Sequence, residues 1–372
     1  MPRPADGTTV AAAFDPARLT LARHAAGLTK KDLAERVGRT PAALTQYELG
    51  QTTPTGGVLE SCARVLGVPV AFFARGRPLL RLDTSSAHFR SLRSTRAGER
   101  QRALADVELV WELAELLAGH VRFPAVDLPA SPDRPDEARD PVVAAREVRR
   151  RWGLPPGPVP HIVRLLESKG VVVACLGFSD SGRVDAFSCV TPTRPVVVLT
   201  ADKGSVLRAR FNAAHELGHL LLHREVIPGD VRHEREADAF AAELLMPAAD
   251  IAPRLPRRVD LPALLRLQQQ WGTSVSALLY RSRTLGVLGE TSYKRAMIRV
   301  SQLGWRTHEP SADHPGERPA LLARAFDLAA TRGLTIGAVA ARLQLHPSRV
   351  RQLLALADDR PHLSLVPGSG VP

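Results

Sequence analysis

The densest chemistry in this sequence lies between positions 211 and 223, FNAAHELGHLLLH, where His215, Glu216 and His219 stand in the order HExxH. On a helix, residues four apart lie one above the other, about 6 Å apart along the axis, so two imidazoles at this spacing can converge on one ion. Zinc accepts such ligands in tetrahedral geometry, and Glu216 projects beside them, within reach of a water held by the same ion. The flanks Phe211, Ala214, Leu217, Leu220 and Leu221 are apolar, which predicts a buried helix. A surface helix that happens to carry two histidines and a glutamate fits badly with those flanks, because a buried charge without a partner is destabilising.

A catalytic zinc takes three protein ligands and keeps one position open. His223 is too distant to be the third, about 12 Å along the axis from His215. It reads instead as a histidine near the helix end, satisfying local carbonyls. The next helical stretch, HEREADAFAAELLMP from His233 to Pro247, sets an acidic face beside an apolar one of Ala237, Phe240, Ala241, Leu244 and Leu245. Glu234 and Asp238 share the acidic face at a spacing of four. Glu234 is therefore the candidate third ligand, and Asp238 the acceptor for the second N–H of a ligand histidine. Glu236 points about 160° away from Asp238 down the axis and is the weaker candidate.

AHELGHLLLH at 214–223 and EREADAFAAELLMP at 234–247 together resemble the ImmA/IrrE family of metallopeptidases, over roughly 141–285. The resemblance implies a gluzincin-like zinc peptidase fold with a small sheet packed on helices. It also implies a protein substrate, often a transcriptional repressor. His215, His219 and Glu234 match the family's zinc ligands, and Glu216 its general base. The expected reaction is hydrolysis of a peptide bond, with Glu216 moving a proton from the attacking water to the leaving amine. No residue stands out for oxyanion stabilisation; His233 and Tyr280 are candidates.

The elements that must position these residues are mostly helical. Apolar periodicity predicts helices around residues 15–75, one long amphipathic helix within 88–122, and further helices over 141–153, 160–169, 205–223, 233–247, 261–285 and 319–357. Short β-rich runs at 171–176, 185–190 and 195–200 predict a small sheet. Residues 124–141, rich in Pro and Asp, read as a linker. The expected class is mainly α with a small β-sheet (α+β). The expected divisions are an all-α bundle at 15–75, a connector at 76–140, a peptidase domain at 141–285 and a helical C-terminal region at 286–372. No sustained repeat is evident along the chain.

The chain has 372 residues, 44% of them hydrophobic, and a formal charge of +12. Residues 1–100 hold 15 Lys and Arg against 8 Asp and Glu, so much of the excess lies at the N-terminal end and favours a polyanionic partner. The same region carries a DNA-reading pattern. Thr29 is placed to cap a helix through Val37, Gly38 makes a turn, and Thr40 caps a second helix that has Pro41 in its first turn and ends at Leu49 and Gly50. LTKKDLAERVG, LTQYELG and LGVPVAFF resemble the Cro/C1-type (XRE) helix-turn-helix family over about 55 residues. That family often has Gln at the position of Lys30, so a phosphate contact is kept and one polar positioning contact is lost. The second helix would enter the major groove with Pro41, Ala42, Thr45 and Gln46 facing the bases; Gln46 suits adenine and Ala42 a thymine methyl. Tyr47 and Leu44 read as core.

GLTIGAVAARLQLHPSRVRQLLAL at 333–356 also reads as two helices about a turn, either a second DNA-binding element or a dimerisation bundle, the bundle being the plainer choice. Three scattered cysteines form no CxxC pair or even framework, which suits a reducing cytoplasm. The N-terminus lacks a signal-peptide pattern, and no run of about 18 apolar residues predicts a membrane span. The expected function is a cytoplasmic transcriptional regulator with zinc endopeptidase activity. Its expected partners are DNA and a protein substrate such as a repressor, and pairing of half-sites would favour a homodimer. The rival readings are a regulator whose zinc domain senses a ligand or metal without cleaving, and a toxin–antitoxin or phage-type component acting through protein contacts.

Overall fold

The computed structural model describes residues 7–77, 80, 82, 87–89, 97–129, 139–177, 186–200, 206–223, 230–305, 309–310 and 316–356. The N-terminal helices are α1 (Gly7–Ala12), α2 (Pro16–Ala25), α3 (Lys30–Val37), α4 (Pro41–Glu48) and α5 (Gly56–Leu66), followed by a 3-10 turn at Val70–Phe73. Their ends are chemically specified. Thr29 and Asp32 form a reciprocal capping box at the start of α3, and Gly38 ends it in the left-handed region at φ 65°. Thr40 accepts from the N–H of Ala43 at 3.2 Å, and Pro41 occupies the first turn of α4. Arg23 of α2 grips Glu48 of α4 through two bonds of 2.5 and 2.9 Å, locking the first helix against the second of the pair.

A short strand β1 (Ala87–Phe89), not foreseen in the sequence, precedes α6 (Ala97–Ala118). Then come α7 (Pro141–Arg151), α8 (Ile162–Ser168), and strands β2 (Val172–Leu176), β3 (Ala186–Cys189) and β4 (Val196–Thr200). Among the described residues the strands form one sheet in the order β1-β3-β4-β2. β2 and β4 run parallel, and β3 is antiparallel to β4 and to β1. Helices α9 (Val206–Leu222), α10 (Val231–Leu245), α11 (Ala248–Ile251), α12 (Leu261–Trp271), α13 (Val275–Thr284) and α14 (Glu290–Gln302) follow. The last three are α15 (Leu321–Ala330), α16 (Ile336–Leu343) and α17 (Pro347–Leu353). The protein is mainly helical with a small sheet, an α+β fold as expected.

The sheet divides two cores. Val172, Ala174, Leu176, Phe187, Cys189, Val196 and Val198 face a core shared with α2–α6 and α15–α17. Val171, Val173, Ala186, Val197 and Leu199 face the opposite core, built from α7–α10 and α12–α14. Alternate side chains of a strand point to opposite faces, and both faces here are covered, which explains the unbroken apolar runs VVVACL and PVVVLT. Covered in this way, α6 is not the half-exposed amphipathic helix its spacing suggested. It is enclosed nearly all round from Ala103 to Ala114. Its buried carboxylates are partnered: Glu112 by Arg18, Asp106 by Arg349, and Glu108 by the N–H of Leu82.

Candidate functional site

α9 and α10 pack side by side, and their contact depends on a residue without a side chain. A Cβ at Gly218 would stand 3.2 Å from the Cα of Ala237 and 3.1 Å from the Phe240 ring. Buried arginines fix both helices. Arg210 of α9 donates to the carbonyls of Gly272 and Pro160 at 2.9 and 3.0 Å and pairs with Glu317. At the far end of α10, Arg149 donates to the carbonyl of Leu244 at 2.7 Å and Arg281 to that of Met246 at 3.1 Å, satisfying carbonyls that the helix end leaves open. Asp230 caps the start of α10, two residues ahead of the His233 start expected from the sequence.

This packing brings together His215, His219 and Glu234, whose ligand atoms all lie within 4.8 Å of one another. The two Nε2 atoms are 3.0 Å apart, and Glu234 oxygens stand 3.4 Å from that of His215 and 3.6 Å from that of His219. Donors arranged tetrahedrally about 2.0–2.1 Å from one ion are about 3.3 Å apart, so this set of two imidazoles and a carboxylate fits zinc. His215 and His219 are buried, and Glu234 is partly open.

Each group has a supporting partner. Asp238 Oδ1 lies 2.8 Å from Nδ1 of His215; a proton held between them leaves the Nε2 lone pair turned toward the metal position. Nδ1 of His219 lies 3.0 Å from Nδ1 of His223, whose Nε2 lies 2.9 Å from Glu236. His223 stands at the end of α9, as its position suggested, and its ring also links His219 to Glu236, which lies on a different side of α10 from Asp238. The spacing of four between His219 and His223 was the available signal. Burial, reinforced by the neighbouring His233, pulls the His223 imidazole down to about 4 against the pull of Glu236. Its ring stacks on His233 at 4.0 Å between centroids. Tyr280, the other oxyanion candidate, lies exposed on α13 with the Arg283 guanidinium over its ring.

Glu216 is fully buried, and Ser188 of β3 donates a 2.8 Å bond to its Oε2. Ser188 was not singled out from the sequence. It is the polar member of the β3 face that meets α9, a placement only the strand register shows. The cysteines read as packing residues: burial pushes the Cys62 thiol up to about 11 and raises that of Cys189 as well.

On α4, the second helix of the helix-turn-helix, Pro41, Ala42 and Gln46 are exposed and Thr45 is half-buried, its hydroxyl donating to the carbonyl of Pro41 at 3.0 Å. Lys30 reaches across from α3, donating to Thr45 Oγ1 at 3.4 Å with Glu48 at 3.6 Å. Leu44 is buried as core, and Tyr47 packs partly buried against it.

These features define a chain in which a helix-turn-helix domain is joined to a domain of metallopeptidase type. Comparison with known families places both: residues 167–283 match the IrrE N-terminal-like domain, a peptidase family, and residues 17–74 match a helix-turn-helix domain. No curated protein matches the chain significantly. Among the described residues no helix is long and apolar enough to cross a membrane.

Proposed function

We propose that this protein is a cytoplasmic, DNA-located zinc endopeptidase that regulates transcription by cutting a protein, with a transcriptional repressor or related regulator as the substrate class. The observation that carries the reading is the convergence of His215, His219 and Glu234, with Glu216 next to His215 in the chain. His215, His219 and Glu234 would hold the zinc. When bound, the ion supplies Lewis-acid activation of a water and of the scissile carbonyl. Glu216 takes the proton from the attacking water and delivers it to the leaving amine. The Ser188 hydroxyl, donating to Oε2, holds that carboxylate in place. Asp238 holds the His215 ring in the orientation that presents Nε2. On α4, Pro41, Ala42, Thr45 and Gln46 face the bases and Lys30 the backbone phosphates. The working units are residues 15–75 for DNA, 141–285 for peptide hydrolysis, 76–140 as connector and 286–372 as a helical C-terminal region.

A second reading, a sensor that binds zinc and does not cleave, draws support from the complete burial of Glu216. Metal content and proteolysis of the wild type and Glu216→Gln, each incubated with candidate repressors from the same genome, separate the two. The peptidase reading expects about one zinc per chain in both and cleavage by the wild type alone. Zinc in both and cleavage by neither, with the inducing stress reproduced, would transfer the site to sensing.

A further inference from the structure

The segment after the peptidase region repeats the first helix-turn-helix at a constant offset of 306 positions. Gly27, Leu28, Thr29, Ala34, Arg36, Pro41 and Gln46 recur as Gly333, Leu334, Thr335, Ala340, Arg342, Pro347 and Gln352. So few identities, spread over 24 residues, escape a search for sustained repeats. The backbone makes the correspondence plain. Gly27 and Gly333 both take positive φ, 68° and 91°. Thr29 and Thr335 each cap an eight-residue helix by accepting a 3.1 Å bond from the N–H three residues on.

The turns also agree. α3 ends on Gly38 at φ 65° and α16 on Gln344 at φ 51°, a left-handed conformation unusual for glutamine. The N–H of Arg39 returns to the carbonyl of Ala34 at 2.9 Å, and that of Leu345 to Ala340 at 3.0 Å. Pro41 and Pro347 open the second helices, and the buried Leu33, Ala34 and Leu44 have the buried counterparts Val339, Ala340 and Val350. Both first helices, α2 and α15, pack on α6.

We infer that α16 and α17 form a second DNA-binding unit, with Ser348, Arg351 and Gln352 as its base-reading side chains. They occupy the positions of Ala42, Thr45 and Gln46 on α4. The new set is better equipped for readout, because Arg pairs with guanine, Gln with adenine, and Ser with several bases. Ser348 and Gln352 are exposed and Arg351 half-buried, whereas Val350 and Leu353 turn into the core. Residues 333–356 hold Arg342, Arg349 and Arg351 and no carboxylate, whereas 27–50 set four basic residues against Asp32, Glu35 and Glu48. The second unit therefore attracts phosphate more strongly. Arg349 is engaged by Asp106 of α6 and positions α17 instead of reading bases.

A cleft of about 560 Å³ separates this helix from the ends of α2 and α5. His346, Ser348, Arg351 and Gln352 line it on the α17 side; His346, Ser348 and Gln352 keep exposed surface and Arg351 is half-buried, and it is this exposed surface, with that of Pro347, that DNA would meet. A single chain then carries two DNA contacts, and a bipartite site does not require a homodimer.

The inference rests on the reading of this chain as a DNA binder but concerns a separate surface. The test uses the full chain and a duplex selected from a random pool, with binding followed by fluorescence anisotropy at several salt concentrations. Arg351→Ala/Gln352→Ala is compared with Thr45→Ala/Gln46→Ala, and circular dichroism checks folding. The expected result is a loss of about ten-fold or more in affinity for the α17 variant, a shallower salt slope, and lost preference at only part of the selected site. Unchanged binding by a folded α17 variant beside weakened binding by the α4 variant overturns the second unit and leaves the first intact. Unchanged DNA binding with an altered oligomeric state assigns α17 to protein contact and also overturns it. A wild type that binds no duplex overturns both units.

Discussion

Between them, His215 and His219 have two outer partners of different kinds. His215 rests on a carboxylate of α10, whereas His219 rests on a second imidazole, which rests in turn on Glu236. The carboxylate contact is the more direct control on ligand basicity. Asp238→Asn is expected to keep the fold and weaken zinc affinity about 10–100-fold in a chelator competition, with a matching fall in any cleavage at limiting zinc. Zinc affinity equal to wild type would show that Asp238 does not orient the ligand. Ser188 and His223 illustrate how such supporting residues escape notice. A serine in a strand and a histidine near a helix end are common, and only their neighbours give them a role.

At the scale of elements, the site depends on how closely α9 and α10 approach. Gly218→Ala introduces a Cβ at 3.2 Å from backbone, which cannot yield as a flexible side chain would. The expected cost is about 1–3 kcal/mol in denaturant unfolding. Zinc binding should weaken as well, because Glu234 rides on the displaced α10. A variant as stable and as zinc-competent as wild type would show that the two helices have slack.

The helix-turn-helix has its own sensitivity, to pH. Burial, then the adjacent Arg23 guanidinium, lowers His24 from 6.5 to about 4. The folded state thus holds the neutral ring where the unfolded chain already takes up a proton. The stabilisation is complete above pH 6.5 and is lost as pH falls toward 4. Unfolding monitored at pH 7 and pH 5 should show a loss of stability in the wild type that is smaller in His24→Gln. Equal losses in both would move the pH response to another group.

At the scale of the molecule, the C-terminal region is tied into both cores. Glu317 pairs with buried Arg210 beneath α9, Glu167 accepts from the N–H groups of Ala320 and Leu321 at 2.9 Å each, and α15–α17 complete the core around α6. Glu317→Gln, which leaves the Arg210 charge buried without its counterion, is expected to cost about 3–5 kcal/mol. Deleting residues 316–372 should also uncover α6 and one face of the sheet, so that the helix-turn-helix and peptidase regions both melt early in calorimetry. Persistence of the wild-type transition after the deletion would show that these contacts are dispensable.

Much of the candidate site was legible in the sequence because its rules are local. HExxH and the spacing of Glu234 to Asp238 follow from helical periodicity. The caps Thr29 and Thr40 with the turn at Gly38 follow from backbone chemistry within a few residues. The α+β class followed from the same periodicities. What lay outside local rules was decided only in three dimensions. Ser188 reaches Glu216 through strand register, His223 and Glu236 meet because two helices cross, and the enclosure of α6 depends on segments more than 200 residues away along the chain. Periodicity along one element shows which side chains share a face; it carries no information about which distant face will cover it.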